Sequence, residues 1–258
     1  MKILTWNVNS IRIRQQQIID LIKEERPDVI CLQETKVNND AFPEQIFKSK
    51  GYFSFFNGIS SYNGVCIFSN SKVKNFFVHD FCKKNDARHI QISFKGINIH
   101  SLYVPAGGDK PDPQKNEKFK HKLKFLDELL VWSKKQKGKN ILCGDINIAP
   151  RNDDVWSHNQ LKNIVSHTEI ERKKIDILMN EGGWEDVVRK FVNPPENVFT
   201  WWSYRSQDFT KNNRGRRLDH IWLKNCESLK FKNTKILSHT RKLHKPSDHV
   251  PIVCEFKL

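Results

Sequence analysis

Short apolar runs rich in branched residues alternate along this chain with longer stretches of helical period. Residues 2–8 read as a buried strand, and 12–25 as a helix whose Ile18, Ile19, Leu21 and Ile22 share one face. A second strand, 28–33, follows the break at Pro27. Strand-like runs near 52–56, 63–69, 73–78, 89–94 and 97–104, separated by polar or glycine-containing turns, predict a sheet meander through the middle of the chain. Three prolines and two glycines between 105 and 115 predict a loop, followed by a helix with Phe119, Leu123, Leu126 and Leu130 at four, three, four spacing. Residues 140–143 form the next buried strand, ending at Gly144. Thr168 and Glu171 fit a capping box, so a further helix starts there, with Ile170, Ile177 and Leu178 on one face. Strands near 218–223, 229–237 and 250–256 close the chain. No linker, low-complexity tract or short repeat interrupts this pattern, which predicts one layered α/β domain over residues 1–258.

Four polar islands sit at or beside the strand-like runs: Asn7 with Asn9, Glu34 in LQETK, Asp145 with Asn147 in GDIN, and Asp248 with His249 in PSDH. Carboxylate, amide and water oxygens are the ligands magnesium and manganese prefer, so four segments delivering such groups predict a hard-metal phosphodiesterase site. Each island alone also has an ordinary explanation. Glu34 ends an apolar run where a charged residue can simply stay in water. Gly144, Asp145 and Asn147 are turn formers ahead of Pro150, and Asp248 with His249 fits a strand-entry turn. In the site reading, Asp145 and Asn147 lie two apart in extended chain and point to the same side. One would deprotonate water while the other holds a phosphoryl oxygen. Asp219, in RRLDHIW, would orient an imidazole and favour protonated His249, a cation suited to a phosphate. Strand alternation turns its neighbour His220 to the opposite face.

Charge narrows what such a site acts on. Forty-four basic against twenty-nine acidic side chains leave +15, a field that draws polyanions with strong salt dependence. A lysine-rich soluble protein would carry the same excess, so its distribution matters more than its size. Between residues 201 and 217, Trp201, Trp202, Tyr204 and Phe209 interleave with Arg205, Lys211, Arg214, Arg216 and Arg217. Further cations follow at Lys230, Lys232, Lys235, Arg241, Lys242 and Lys245. Aromatics among cations suit a strand backbone with an exposed sugar or base; the alternative is core tryptophans beside a solvated basic face. The six cysteines are scattered and form no CxxC pair, which predicts buried free thiols in a reducing compartment. The apolar start is too short for a signal peptide and no segment reaches membrane-spanning length, so a cytoplasmic protein that does not enter membranes is expected. No strong oligomerisation signal is visible, and a monomer is the expectation.

Taken together, WNVNS, LQETK, YVPAGG, GDIN, RRLDHI and PSDHVP occur in the order and approximate spacing of the exonuclease III family of apurinic/apyrimidinic endonucleases. The resemblance runs from Met1 to Phe256, and more broadly the chain looks like the endonuclease/exonuclease/phosphatase superfamily. It implies a four-layer α/β sandwich, with two packed mixed β-sheets flanked by helices. It implies that Glu34 is the principal magnesium ligand, with Asn7 and Asp248 near the ion or its water shell, and with Asp145, Asn147 and His249 within reach of metal. Asp145 matches the residue that activates water, Asn147 the amide that stabilises the transition state, and Tyr103 a tyrosine beside the scissile phosphate. His249, oriented by Asp219, matches the imidazole on the phosphate. The implied cofactor is Mg2+, with Mn2+ as a substitute, in one or two ions.

The same resemblance implies a DNA-repair nuclease that cuts double-stranded DNA 5' to an abasic site, leaving a 3'-hydroxyl. It also implies a 3'-to-5' exonuclease and 3'-end-cleaning activity. Trp201 and Leu218 match apolar residues lining the pocket for a flipped-out abasic sugar, and Arg205, Arg214 and Arg216 join them on the DNA side. Arg216 departs from the pattern, because the best-known relatives carry Leu or Trp there. An RNA or inositol phosphate hydrolase built on the same metal core, or a decayed nucleic-acid-binding module, are the competing readings; the intact polar set argues against decay.

Overall fold

In the computed structural model, which describes residues 1–206 and 208–257, twelve strands divide into two six-stranded sheets. In chain order they are β1 (Lys2–Asn7), β2 (Val29–Gln33), β3 (Phe53–Asn57), β4 (Val65–Ser69), β5 (Phe76–Phe77) and β6 (His89–Phe94). Then come β7 (Ile97–Tyr103), β8 (Asn140–Asp145), β9 (Glu185–Asp186), β10 (Asp219–Lys224), β11 (Lys230–Ile236) and β12 (Ile252–Lys257). The first sheet runs β11-β12-β1-β2-β4-β3 and the second β5-β6-β7-β8-β10-β9. Each has a single parallel pair at its centre, β1 with β2 and β7 with β8, and antiparallel neighbours elsewhere. A parallel pair needs a crossover, which the helices Ile11–Glu25 and Glu117–Lys135 supply.

Period-two alternation sorts each strand between two cores. Ile3, Val29, Cys31 and Ile67 of the first sheet meet Ile99, Ile141, Cys143 and Ile221 of the second in the space between the sheets. The opposite faces, with Leu4, Trp6, Ile30 and Leu32 on one sheet and Leu102, Leu142 and Trp222 on the other, pack against the outer helices. The result is the expected four layers.

The middle of the chain corrects the predicted meander. β3 and β4 belong to the first sheet and β5 to β7 to the second, so the chain changes sheets between Ser69 and Phe76. Local pattern cannot distinguish a hairpin neighbour from a strand across the sandwich. The run near 73–78 shortens to two exposed residues at a sheet edge. The Glu169–Gly182 helix starts at the predicted capping box, with Thr168 Oγ1 accepting from the Glu171 amide at 3.4 Å. Its buried face, however, is Glu171, Ile175, Leu178 and Gly182, leaving Ile170 and Ile177 each 43 % exposed. A buried ion pair turns the helix: Lys122 Nζ lies 2.6 Å from Glu171 Oε1, both side chains fully enclosed. Polar Glu171 therefore takes an inward position that an apolar-stripe argument assigns elsewhere. All six cysteines are buried and free, as expected.

Candidate active site

The inward rows of the central strands end in polar residues at one rim of the sandwich. Ile3 and Thr5 lead to Asn7; Ile97, Ile99 and Ser101 to Tyr103; Ile141 and Cys143 to Asp145; and Ile221 starts from Asp219. Register holds them side by side, with Asp219 opposite Asp145 across β10 and β8, and Tyr103 opposite Asp145 across β7 and β8. Gly144 lets the sheet close here, since a Cβ on it would lie 1.9 Å from the Leu102 carbonyl oxygen.

Asn7 joins the two sheets. Its Nδ2 donates to Glu34 Oε1 at 2.8 Å and to Asp145 Oδ2 at 2.9 Å, so one amide spans two carboxylates. Glu34 sits just past β2 in the left-handed region, φ 52°, and Lys36 Nζ meets its Oε2 at 2.9 Å. Burial works against ionising Glu34, but the Asn7 hydrogen bond and the Lys36 cation outweigh it and lower its pKa. Lys36 also donates to Asn9 Oδ1 at 2.5 Å, and Asn9 Nδ2 reaches Asp248 Oδ1 at 3.2 Å. Lys36 lies inside LQETK, yet a lysine beside a glutamate reads from sequence as a surface pair.

GDIN is both a turn and part of the site. Asn147 has φ 55°, so it does not share a side with Asp145 through strand alternation, as the sequence suggested. It folds back instead: its backbone N–H donates to Asp145 Oδ1 at 2.8 Å and its Nδ2 to Asp145 Oδ2 at 3.1 Å and Val104 O at 2.9 Å. His249 Nδ1 lies 2.8 Å from Asp219 Oδ2, and its Nε2 is 3.7 Å from Asp145 Oδ2. Burial opposes charge on His249, but Asp219 and then Asp145 overcome it and raise its pKa to about 10. Burial, with Asp219 and Glu34 nearby, pushes Asp145 up to about 7 against the pull of His249. Burial first, then Glu34 and Asp145, raise Tyr103 well above the usual phenol range. His220 points away, with Nε2 at 2.9 Å from Ile148 O.

The PSDH segment is docked rather than loose. Ser247 Oγ donates to Asn7 O at 2.7 Å, Trp6 Nε1 donates to His249 O at 2.9 Å, and Trp201 Nε1 donates to Asp248 Oδ2 at 3.0 Å. Thr200, which nothing in the sequence singled out, accepts the Leu218 and Asp219 amides at 3.0 and 3.1 Å and fixes the start of β10.

The aromatic-basic segment divides. Trp202 and Phe209 are core, and Arg217 is fully buried between Asp154 and Asp186. Lys232 and Lys235 pair with Glu255 and Glu25, away from the rim, and Arg241 is buried over Tyr204 and Phe209. Arg205 and Arg214 are exposed, Arg214 lying 4.7 Å from the Trp156 ring centre. Trp201 and Trp156 pack on a small apolar cluster that contains Leu218. Arg216 lies 5.2 Å from the Trp201 ring centre.

Two donor groupings could take a cation. Asp145, Asp219 and His249 bring ligand atoms within 4.8 Å of one another. His249 in that group is already bonded through Nδ1 to Asp219, and the same carboxylate raises its pKa and favours the cation over a metal-binding lone pair. Glu34 and Asp145, two carboxylates sharing one amide, form the harder oxygen set, and Asp219 Oδ1 adds a buried oxygen without a partner. Such a concentration of carboxylate fits a divalent hard ion.

The sequence and the fold both have counterparts among known proteins. The model of the Endonuclease/Exonuclease/phosphatase family matches residues 4–249. Exodeoxyribonuclease III of Haemophilus influenzae is 31 % identical over the full length of both chains. Among solved structures, an AP endonuclease from Archaeoglobus fulgidus superposes with a TM-score of 0.92 at 34 % identity, covering both chains completely. A 3' phosphatase from Neisseria bound to product DNA hairpin gives 0.91 at 30 % identity, again over both chains. With a family model laid over nearly every residue and an exodeoxyribonuclease III matched end to end, this chain belongs to the endonuclease/exonuclease/phosphatase family, in its exonuclease III branch.

Proposed function

We propose that the protein is a DNA-repair nuclease that hydrolyses the phosphodiester 5' to an abasic site, leaves a 3'-hydroxyl, and trims 3' ends. The observation that carries this is the joint between the sheets, where Asn7 holds the Glu34 and Asp145 carboxylates while Asp219 holds His249. That set offers a base, a cation and a hard-metal seat within one rim. Relatives named as exodeoxyribonuclease III, AP endonuclease and DNA-bound 3' phosphatase supply the substrate class.

In the proposed reaction, water attacks phosphorus, the bond to the 3'-oxygen breaks, and Asp145 takes a proton from the attacking water. His249, kept as imidazolium by Asp219, neutralises charge building on a nonbridging oxygen. Asn147 orients Asp145 through both its backbone and side-chain N–H groups, and once Asp145 is protonated its amide is free to turn to the phosphate. Tyr103 walls the site beside Glu34. Magnesium, or manganese in its place, would sit on Glu34 with Asp145 and Asp248 nearby and supply charge stabilisation to phosphate and leaving oxygen. Trp201, Leu218, Arg205, Arg214 and Arg216 form the proposed DNA side. The working unit is proposed to be a monomer with one catalytic domain. No helix among the described residues is long and apolar enough to cross a membrane.

The test is a duplex carrying a single tetrahydrofuran abasic analogue, incubated with the pure protein and magnesium or EDTA. Incision 5' to the analogue only with metal is expected, and Asp145→Asn should bind the duplex without cutting. Folded protein that leaves the duplex intact with magnesium and with manganese would overturn the proposal.

A further inference from the structure

Arg216 is a cation without an anion. Its guanidinium is largely enclosed and stacked on Trp201, 5.2 Å from the ring centre. Among the described residues its hydrogen bonds go through Nη1 to neutral acceptors, Ser166 Oγ at 2.7 Å and Val165 O at 3.2 Å. Among the described residues no carboxylate lies within ion-pair distance of it. The acid nearest in effect, Glu171, is already neutralised by Lys122. Arg216 Nε is shut off from solvent and has no acceptor among the described residues. Arginine carries five N–H donors in a rigid fork, and here most are unspent. Of the other enclosed guanidinium groups, Arg217 and Arg189 both meet Asp154, whereas Arg14 and Arg241, like Arg216, hold only neutral acceptors among the described residues; Arg216 differs from those two in its place, stacked on the indole that bridges to His249.

The position of this cation is fixed relative to the reacting cluster. Trp201 exchanges both backbone hydrogen bonds with Arg216, at 3.0 Å each, and bridges to His249 on its other side. The indole nitrogen of the same residue holds Asp248. Arg216 therefore stands one indole away from the carboxylates and His249. Arg214, two residues back, repeats the arrangement over Trp156, and both indoles rest on the Leu218 cluster.

The two DNA substrates proposed above share a scissile bond, from phosphorus to a 3'-oxygen, and differ in what phosphorus carries on its far side. At an abasic site that is an uncharged sugar joined through its 5'-oxygen. At a blocked 3' end it is a bare anionic oxygen, which gives the phosphomonoester a second negative charge. An apolar wall suits the sugar, whereas a held, unpaired guanidinium suits the extra oxygen.

Resting on the nuclease reading of this site, we propose that Arg216 is a specificity-determining residue that makes the pocket beside Trp201 a phosphomonoester site. DNA ending in a 3'-phosphate is then the preferred substrate over an internal abasic site. Water adds to phosphorus, the P–O3' bond breaks, the 3'-oxygen takes up a proton, and inorganic phosphate leaves. Nothing beyond the proposed hydrolysis is required.

The experiment compares kcat and KM of the full-length protein with magnesium on two duplexes of one sequence, one nicked with a 3'-phosphate and one with an internal tetrahydrofuran. The wild-type protein is expected to favour the 3'-phosphate. Arg216→Leu should lower kcat/KM for the 3'-phosphate about tenfold more than for the abasic duplex, mainly through KM, as expected for one lost charge-assisted contact. Arg216→Lys should restore part of that ratio. If Arg216→Leu does not fold, inhibition by inorganic phosphate decides with Arg216→Lys, which should bind it more weakly than the wild type. An unchanged substrate ratio in Arg216→Leu, or wild-type preference for the abasic duplex, overturns the inference while leaving the nuclease reading intact. Failure of the wild type to cut either duplex would overturn the nuclease reading itself.

Discussion

Asp219 and His249 carry opposite charges in a place where either alone would be expensive to bury. The Asp219 charge, with Asp145 second and the 2.8 Å hydrogen bond after both, raises the imidazole pKa against burial. A raised imidazole pKa means the cation persists as pH rises, up to about 10. Replacing Asp219 with Asn removes the first of the effects that support that charge. The wild type should gain kcat as Asp145 ionises near pH 7 and keep it up to about 10, whereas the variant's kcat should turn down at a lower pH than the wild type's. A pH–rate profile on the abasic duplex checks this, and parallel profiles would remove Asp219 from its assigned role. Residue types at this scale were readable in the sequence, because Asp, Asn, Glu and His are rare beside apolar strands. Lys36 and Thr200 were not readable: Lys36 beside Glu34 reads as an ordinary surface pair, and Thr200 acts through backbone amides 18 and 19 residues away.

Strand alternation explains why the site forms at one rim. Asn7, Tyr103, Asp145 and Asp219 each continue or begin an inward row, so the same period that buries isoleucine delivers the polar group. The turn after β8 is held from outside the sheet by Lys122, whose Nζ donates to Asn147 O at 2.8 Å and Ala106 O at 3.2 Å while pairing with Glu171. Glu171 in turn accepts the Ser166 amide at 2.9 Å, next to the hydroxyl that holds Arg216. Lys122→Met strands a buried carboxylate and should cost about 3–5 kcal/mol of stability by urea unfolding. Pairing it with Glu171→Leu should recover much of that loss while turnover stays low, because Asn147 has lost its tether. Full recovery of activity in the double variant would show the pair to be structural only. The helix that carries Glu171 was visible from its capping box, but its orientation was not, since a buried ion pair reverses the rule that apolar residues face inward.

Across the whole molecule, a +15 net charge predicts strong electrostatic attachment to DNA. Several cations named from sequence do not contribute at the rim: Arg217 is paired inside the fold, and Lys232 and Lys235 are paired on the far strands. Binding to an abasic duplex should weaken steeply with salt, with a slope reporting a handful of phosphate contacts rather than the full charge excess. Titration by fluorescence anisotropy from low to physiological salt measures that slope; a flat response would point to a small-molecule substrate. The sequence by itself determined most of the strands (though not Glu185–Asp186), the long helices, the buried free thiols and the residue types that meet at the rim, because periodicity, turn chemistry and motif order are local or linear properties. Only the tertiary structure decided which strands share a sheet, which cations are spent in buried pairs, that Asn147 reaches Asp145 through a left-handed turn, and that Arg216 stands unpaired beside Trp201. Those outcomes depend on partners tens to hundreds of residues apart, whose packing and charge compensation are settled when the two sheets close on each other.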